Sequence, residues 1–231
     1  ILVVLTLLLT FSQLKFSIFT LRSNSISIGI VGTYQENDLP LDVTRLLSTQ
    51  MVKADSTGKF HPLLFSGWEV NNDATQYKVK LKENLKWTDN SPVKSSDLQF
   101  NIPNVEVQYP DDDNIHFKLK QSYSPFISLL DLPLIKKNSL IGLGPYRVAK
   151  IEKSRIYITK MILYPALKDL PVVFIRFYPN EKTAITGFLM GEVSTLMGFN
   201  PKDGIDSKLV KIRESTDYSK LVTILFNNKN K

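Results

Sequence analysis

Cysteine is absent from the 231 residues, which excludes disulfides, thiolate-ligated metal sites and a cysteine nucleophile. Histidine is scarce as well: His61 and His116 are the only imidazoles, too few for a histidine-rich zinc centre. Glycine (10) and proline (12) are not abundant enough for a collagen-like or low-complexity chain. What remains is a globular composition, with 43% hydrophobic and 22% charged residues. We predict no metal site, no cofactor and no catalytic residue.

Positive charge is in modest excess and is scattered along the chain. The 29 Lys and Arg residues against 22 Asp and Glu give a formal net charge of +7. The densest basic run, at Lys78, Lys80, Lys82 and Lys86, alternates with apolar residues, which is typical of the solvated face of a strand. A phosphate-binding stripe is the alternative interpretation. No nucleic-acid-binding motif accompanies the run, so we predict no nucleic-acid partner.

The first 22 residues differ from the rest of the chain. They are almost entirely apolar around a single Lys15, and they are long enough to cross a bilayer. At the start of a chain this pattern is more typical of a signal segment or a membrane anchor than of a buried core helix. We expect a hydrophobic helix over residues 1–22. Because the sequence opens on Ile without a preceding basic segment, we also expect residues to be missing before it.

Period-two alternation over residues 25–30 predicts a half-buried strand that ends in a loop at residues 32–34. Apolar residues at helical spacing predict a helix over residues 41–52. Later in the chain, Gly142 and Gly144 precede Pro145. This pattern favours a tight turn into a strand over a phosphate-binding loop.

Two hairpins follow from the pattern between these regions. Residues 68–70 and 77–81 alternate around a polar turn, and their apolar members, with Trp68 among them, predict one buried face. Trp68 and Trp87 are predicted to be core residues, with ligand-stacking platforms as the alternative.

The second hairpin joins residues 104–107 to 115–119. The Asp triplet in its turn favours a polar turn over a calcium loop, because further regularly spaced oxygen ligands are missing. His116 is predicted to face solvent.

Four blocks in order resemble the family 5 extracellular solute-binding proteins, the oligopeptide-, dipeptide- and nickel-binding receptors of ABC importers. The blocks are WEVNND…YKVKLK…LKWTDNSPV (68–93), GLGPYRV (142–148), GFLMGEV (187–193) and ILFN (224–227). The long helical stretch that usually follows the first block is missing, since Asp97-Leu98 runs almost at once into Pro103. In the polar turn of the first block, Asn90 replaces the usual Gly, and Asn also tolerates the left-handed conformation.

The resemblance implies an α/β fold, namely a type II periplasmic-binding-protein-like lobe with a β-rich satellite subdomain behind the N-terminal hydrophobic helix. We expect lobe I over residues 25–41 and 140–231 and a trimmed satellite over residues 42–139. Family members are about twice as long and enter a second lobe just after the last block. We therefore expect the second lobe to be absent, and residues 25–231 alone to be marginally stable or prone to aggregation.

The function that the resemblance implies is an extracytoplasmic receptor on the outer face of the cell membrane. Such a receptor holds oligopeptides or other small solutes between two lobes, closes by a hinge and delivers the solute to an ABC permease. We expect no enzymatic activity from such a receptor. Loops at strand ends face clefts in α/β folds, although plain loop structure is the alternative at each position. The candidate ligand contacts are Thr33, Tyr34, Gln35, Met197, Gly198, Phe199, Asn227 and Asn228.

Two other functions stay open from the sequence. One is a membrane-anchored sensor or binding module without a transport role, which would use the same lobe. The other is a secreted hydrolase, which the positions of the two histidines disfavour. His61 precedes a proline in a loop, and His116 lies on the exposed face of a strand, so neither suits a catalytic triad.

Overall fold

A computed structural model describes residues 24–198, which form a five-stranded sheet and a four-stranded sheet, each over its own hydrophobic core, and a small two-stranded hairpin. The strands are β1 (Ser25–Val31), β2 (Val52–Ala54), β3 (Phe60–Pro62), β4 (Phe65–Val70), β5 (Gln76–Leu81), β6 (Val105–Gln108), β7 (Asn114–Leu119), β8 (Tyr146–Ser154), β9 (Tyr157–Pro165), β10 (Val172–Tyr178) and β11 (Thr195–Met197), and the α-helices are α1 (Leu41–Leu47) and α2 (Glu181–Leu189). The predicted mixed α/β class is confirmed.

The five-stranded sheet has the order β11-β1-β10-β9-β8. Strand β1 runs parallel to both β10 and β11, whereas β9 is antiparallel to β10 and β8. The strand predicted over residues 25–30 is confirmed as β1. Its alternating side chains divide between the two faces of the sheet, as the period of two requires.

One face of the five-stranded sheet is sealed. Ile28 of β1, Ile175 of β10 and Met161 of β9 are 8%, 2% and 1% exposed, and the buried side chains Val43 and Leu47 of α1 belong to the same core. Full burial of an aliphatic side chain stabilises a fold by roughly 1.5–3 kcal/mol. This face supplies the main stabilising burial of the sheet.

Helix α2 lies against the opposite face, which we call the outer face. Its N-cap residue Asn180 accepts a hydrogen bond from the Thr183 amide (3.0 Å). Gly187 of α2 lets the buried Tyr178 side chain approach closely, and the Tyr178 hydroxyl donates to Glu192 (3.0 Å). Burial, reinforced by this carboxylate, raises the pKa of Tyr178 to about 12.

The four-stranded sheet has the order β4-β5-β7-β6. Both predicted hairpins are confirmed, as β4–β5 and β6–β7. In the first turn, Asn71 Oδ1 accepts hydrogen bonds from the amides of Thr75 (3.0 Å) and Gln76 (2.9 Å). The buried side chains Ile115 and Phe117 alternate with a half-buried His116, which lies on the opposite face as predicted.

The two tryptophans have different environments. Trp87 is 1% exposed and its indole N–H donates to Asp97 (3.3 Å), so its assignment to the core is confirmed. Trp68 is 37% exposed and packs edge-on against Phe65 with ring centroids 6.0 Å apart, so its assignment to the core is wrong. The reason is position: β4 is an edge strand, and alternation alone does not distinguish edge from centre.

The helix predicted over residues 41–52 ends at Leu47. Ser48 is extended (φ −148°, ψ 160°), and its buried hydroxyl donates to the Leu134 carbonyl and accepts from the Leu143 amide (3.0 Å). Farther on, the Met51 carbonyl accepts a hydrogen bond from Leu63 (2.7 Å). These contacts with distant segments satisfy the backbone better than another helical turn would, so they override the apolar spacing.

Gly142 and Gly144 lie against the end of α1. A β-carbon at Gly144 would lie 2.6 Å from the Leu47 carbonyl carbon, and the Gly144 amide donates to the Leu47 oxygen (2.9 Å). Both glycines lead into β8, as predicted. Asn90 has φ +67°, so the left-handed conformation expected of it is confirmed.

Several predictions fall on residues that lie outside the described range: the hydrophobic helix over residues 1–22 and the candidate contacts Phe199, Asn227 and Asn228. Between residues 24 and 198, no helix is both long and apolar enough to cross a membrane. The division into lobe I and a satellite stays a prediction.

Candidate ligand-binding site

Three parallel strands end at one edge of the five-stranded sheet, which we call the carboxyl edge. Ile30 of β1 lies beside Phe177 of β10 on one side and Met197 of β11 on the other. The loop after β1 and the residue after β11 therefore emerge side by side. The structure brings together Thr33–Gln35 and Met197–Gly198, two of the three groups of residues predicted from the sequence.

The loop after β1 is held by its own tyrosine. The Tyr34 hydroxyl donates to the Val31 carbonyl (3.1 Å), and its ring lies 5.4 Å from that of Phe177. Tyr34 is half-buried in this position, whereas Thr33 is exposed and Gln35 is half-buried. Tyr34 therefore positions the loop, and the Thr33 side chain is left exposed at its surface.

The end of β11 has a different character. Met197 is half-buried against the core beneath the sheet, so its side chain supports the edge from below. Gly198 has φ +67°, a conformation that any other residue adopts only with strain. Its exposed backbone is what this position presents at the carboxyl edge.

The tip of the β8–β9 hairpin joins the same edge, and sequence reasoning missed it. The Ile158 amide donates to the Tyr34 carbonyl (2.8 Å). At the tip, Ile156 and Tyr157 are 58% and 42% exposed. An apolar pair beside the turn residue Arg155 (φ +57°) was the available signal, but bulges in β8 interrupt the alternation that would have revealed the hairpin.

Charge at the carboxyl edge is mixed. Lys153 of β8 pairs with Glu36 of the β1 loop (2.7 Å), and both side chains are more than two-fifths exposed, so the pair fixes geometry more than it adds stability. Among residues 24–198, no three acidic, histidine or cysteine side chains converge as a metal site would require. The edge presents backbone groups, an aromatic ring and an aliphatic side chain, which suits an organic ligand.

Of the two histidines, His61 is the one that is paired with a carboxylate, as a hydrolase triad would require. It lies in the β2–β3 hairpin and not at the carboxyl edge. His61 Nε2 is 2.7 Å from Asp55 Oδ2, while the Thr57 hydroxyl donates to the other oxygen of the same carboxylate (2.6 Å). These bonds, led by that from Thr57, hold the pKa of Asp55 well below its usual range. Both the hydroxyl and the imidazole are bound to the carboxylate rather than to each other, which is the geometry of a capped turn.

The sheet gathers loops of parallel strands and a hairpin tip at one edge, which is the position where α/β folds commonly bind ligands. The chain belongs to the bacterial extracellular solute-binding proteins, family 5 Middle, whose family model matches residues 59–231. This confirms the resemblance found in the sequence. Among proteins of curated function, none matches the chain.

Solved structures of similar fold come from proteins with different ligands. AgaA from A. tumefaciens R10, in complex with agropinic acid, is 19% identical with a TM-score of 0.55, over 73% of this chain and 43% of that one. NikZ from Campylobacter jejuni, in complex with Ni(L-His), is 17% identical with a TM-score of 0.55, over 73% and 42%. The periplasmic murein tripeptide-binding protein MppA, in its unliganded open form, is 18% identical with a TM-score of 0.54, over 74% and 45%. The chain thus spans less than half the length of these proteins.

Proposed function

We propose that this chain forms one wall of an extracytoplasmic solute receptor that serves an ABC importer. Family membership over residues 59–231 carries the proposal. The receptor would act on the outer face of the cell membrane, with residues 1–22 as its anchor or signal segment. Its partners would be a small solute, oligopeptides foremost, and the membrane permease.

The carboxyl edge of the five-stranded sheet would be the ligand-facing surface of this wall. Thr33 and Gly198 lie on loops held by the sheet, and the exposed Tyr157 begins β9, so their geometry is set before a ligand arrives. Backbone groups at Gly198 would bind amides or carbonyls of an extended ligand, and Tyr157 would cover its apolar part. Recognition through the backbone tolerates many side chains, as an oligopeptide receptor requires.

The mechanism would be hinge closure between two lobes. Residues 25–41 and 140–231 would form lobe I, and residues 42–139 its satellite. A ligand held between lobe I and a second lobe stabilises the closed form by the difference between its affinities for the closed and open forms. Transport would then depend on the permease recognising that closed form.

The test is to purify the full-length protein from its host and to identify co-purified solutes by mass spectrometry. The affinity for that solute would then be measured for the natural protein and for the Tyr157→Ala variant. We expect the substitution to weaken binding about tenfold, because it removes one apolar contact of roughly 1.4 kcal/mol. Tyr123→Ala is the matched control, because Tyr123 is 43% exposed against 42% for Tyr157 but lies by the four-stranded sheet. A protein that is consistently free of solute, or equal effects of the two substitutions, would contradict the proposal.

A further inference from the structure

The two larger sheets have four outer strands, and three of these carry features that oppose pairing with a further strand. Strand β8 is interrupted by two register shifts, β4 is interrupted by one between Phe65 and Gly67, and β11 has only three residues. Bulged or very short edge strands protect a sheet against association edge to edge. The fourth outer strand, β6, has neither feature.

Strand β6 is regular and has one free edge. It pairs with β7 without interruption, from Val105 opposite Leu119 to Gln108 opposite His116. Among residues 24–198, no strand pairs with its other side. Its sequence, Val-Glu-Val-Gln, contains no lysine, proline or glycine that would discourage a neighbour. The backbone groups along this edge are therefore open to a further strand.

The two faces of β6 differ in chemistry. Val105 and Val107 pack against the core of the four-stranded sheet. Tyr109, which follows the strand, lies on the same face by the period of two and is 36% exposed. On the opposite face, the Gln108 side-chain amide donates a hydrogen bond to the Glu106 carboxylate (2.6 Å). Apolar side chains thus alternate with an amide and a carboxylate along the free edge.

We propose that β6 pairs with β6 of a second copy of this chain, antiparallel and about a two-fold axis at Val107, so that two four-stranded sheets become one sheet of eight strands. Val107 then lies opposite its own equivalent. Val105 lies opposite Tyr109, and Glu106 lies opposite Gln108, and symmetry makes each of these pairs occur twice. Because residues directly opposite each other share a face, apolar groups meet apolar groups and each carboxylate meets an amide donor.

Other registers of the same pair fit less well. An axis at Glu106 would place two carboxylates directly opposite each other, and like charges in that position are destabilising. An axis at Gln108 would draw Pro110, which has no backbone N–H, into the pairing. At the other end of the strand, Asn104 has φ +61°, so the extended conformation stops there. The register about Val107 uses the whole regular stretch and matches it to itself, which favours a second copy as the occupant.

The absence of cysteine allows a direct test on the full 231-residue chain in mild detergent. In a Val107→Cys variant the two thiols lie across the axis, where Cα atoms about 4.5–5.5 Å apart permit a disulfide. Val70→Cys is the matched control, since Val70 is 49% exposed on β4, the opposite outer strand of the same sheet. Under mild oxidation we expect the Val107→Cys variant to form a covalent dimer at least about fivefold faster, because a preformed contact raises the effective thiol concentration.

Two substitutions at Gln108 test the register with opposite signs. Gln108→Lys places an ammonium opposite Glu106 of the second copy, and Gln108→Glu places a second carboxylate there. Since each change acts twice in the dimer, we expect the first to tighten the dimer about fivefold and the second to weaken it by about the same factor. Sedimentation velocity measures the dimer fraction, and far-ultraviolet circular dichroism verifies that both variants are folded.

Three results would overturn the proposal: a monomeric chain, equal cross-linking at Val107 and Val70, or effects of the two Gln108 substitutions in the same direction. If β6 accepts an unrelated strand instead, the chain alone stays monomeric. If copies associate through the outer face of the five-stranded sheet, the Val107→Cys variant shows no preferential cross-link. The inference rests on the described strands and not on the proposed transport function, so a failed search for a transported solute would leave it unaffected.

Discussion

At the scale of single residues, close packing of backbone against backbone decides the identity of Gly142 and Gly144. Neither glycine has a left-handed backbone conformation. Each position requires glycine because the end of α1 leaves no room for a β-carbon. The sequence predicted a turn at this place but not its contact partner. Which segment packs on a glycine depends on the tertiary fold and leaves no trace in the local pattern.

Substitution of Gly144 by alanine should therefore lower the free energy of unfolding by about 1–3 kcal/mol, the usual cost of overpacking, because the new β-carbon would lie 2.6 Å from the Leu47 carbonyl carbon. Urea unfolding followed by circular dichroism measures the change. Gly67→Ala is the control, since nothing lies within 4 Å of a β-carbon there. An equal loss of stability in both variants would show that glycine flexibility, and not packing, matters at these positions.

At the scale of elements, aspartates close three turns around the four-stranded sheet and its neighbouring hairpin. Asp55, Asp89 and Asp111 each accept a backbone amide two residues ahead, from Thr57, Ser91 and Asp113 respectively, all at 2.9 Å. Hydrogen bonds lower the pKa of all three carboxyls, with the largest contributions from Thr57, Ser91 and Asn114. At Asp111 this is the local signal that made the β6–β7 hairpin predictable, because the residues that make the turn are adjacent in the sequence.

These turns should loosen in acid. A carboxyl whose pKa is lowered by folding contributes stability that is fully present above its unfolded pKa and is lost as the pH falls through its folded pKa. We expect amide hydrogen-exchange protection in the β6–β7 turn to decrease between pH 5 and pH 2. Asp111→Asn keeps an acceptor oxygen without a titrating group, so its turn should lose less protection over the same range. Identical profiles for the variant and the natural chain would refute this explanation.

The elements that sequence reasoning missed are those whose pattern is interrupted. The β8–β9 hairpin carries Lys150, Glu152 and Lys160 on its outer face, and register shifts in β8 break the alternation of its apolar residues. Helix α1 was predicted too long because Met51 continues its apolar spacing, although the Ser48 hydroxyl binds Leu134 and Leu143 instead. In the hairpin a local irregularity hides the pattern, and at the end of α1 contacts with distant segments override it.

At the scale of the whole molecule, uncovered apolar surface should control solubility. We expect residues 25–231, produced without the N-terminal apolar segment, to self-associate, because Phe174 and Tyr164 lie together on an open sheet face. Phe174→Ser with Tyr164→Ser should shift the chain towards monomer, as measured by size-exclusion chromatography with light scattering. Leu167→Ser is the control, since Leu167 is 61% exposed in the β9–β10 turn. A monomeric natural chain with a sharp cooperative melt would disprove this expectation.

The candidate site could be predicted in part because topology follows from strand direction. The loop at Thr33 was found from its position after a predicted strand, whereas Met197 and Gly198 were predicted as part of a loop after Val193 and Met197 instead ends β11. The parallel pairing of β1 with β11 places both groups at the same edge. The position of Tyr157 at this edge could not be predicted from the order of the strands. It depends on an antiparallel hairpin whose tip reaches the carboxyl edge only once β9 has paired with β10.

The hydrogen bond between the Leu143 amide and the Ser48 hydroxyl joins residues 95 positions apart (3.0 Å). The chain thus leaves the region of the five-stranded sheet after Ser48 and returns to it at Leu143, and these two crossing segments lie next to each other. The four-stranded sheet is inserted between them. An insertion attached in this manner can be shortened, enlarged or exchanged without moving the strands on which it is grafted. We therefore expect that a protein engineer can shorten this region or replace it with another module while the carboxyl edge of the five-stranded sheet keeps its geometry.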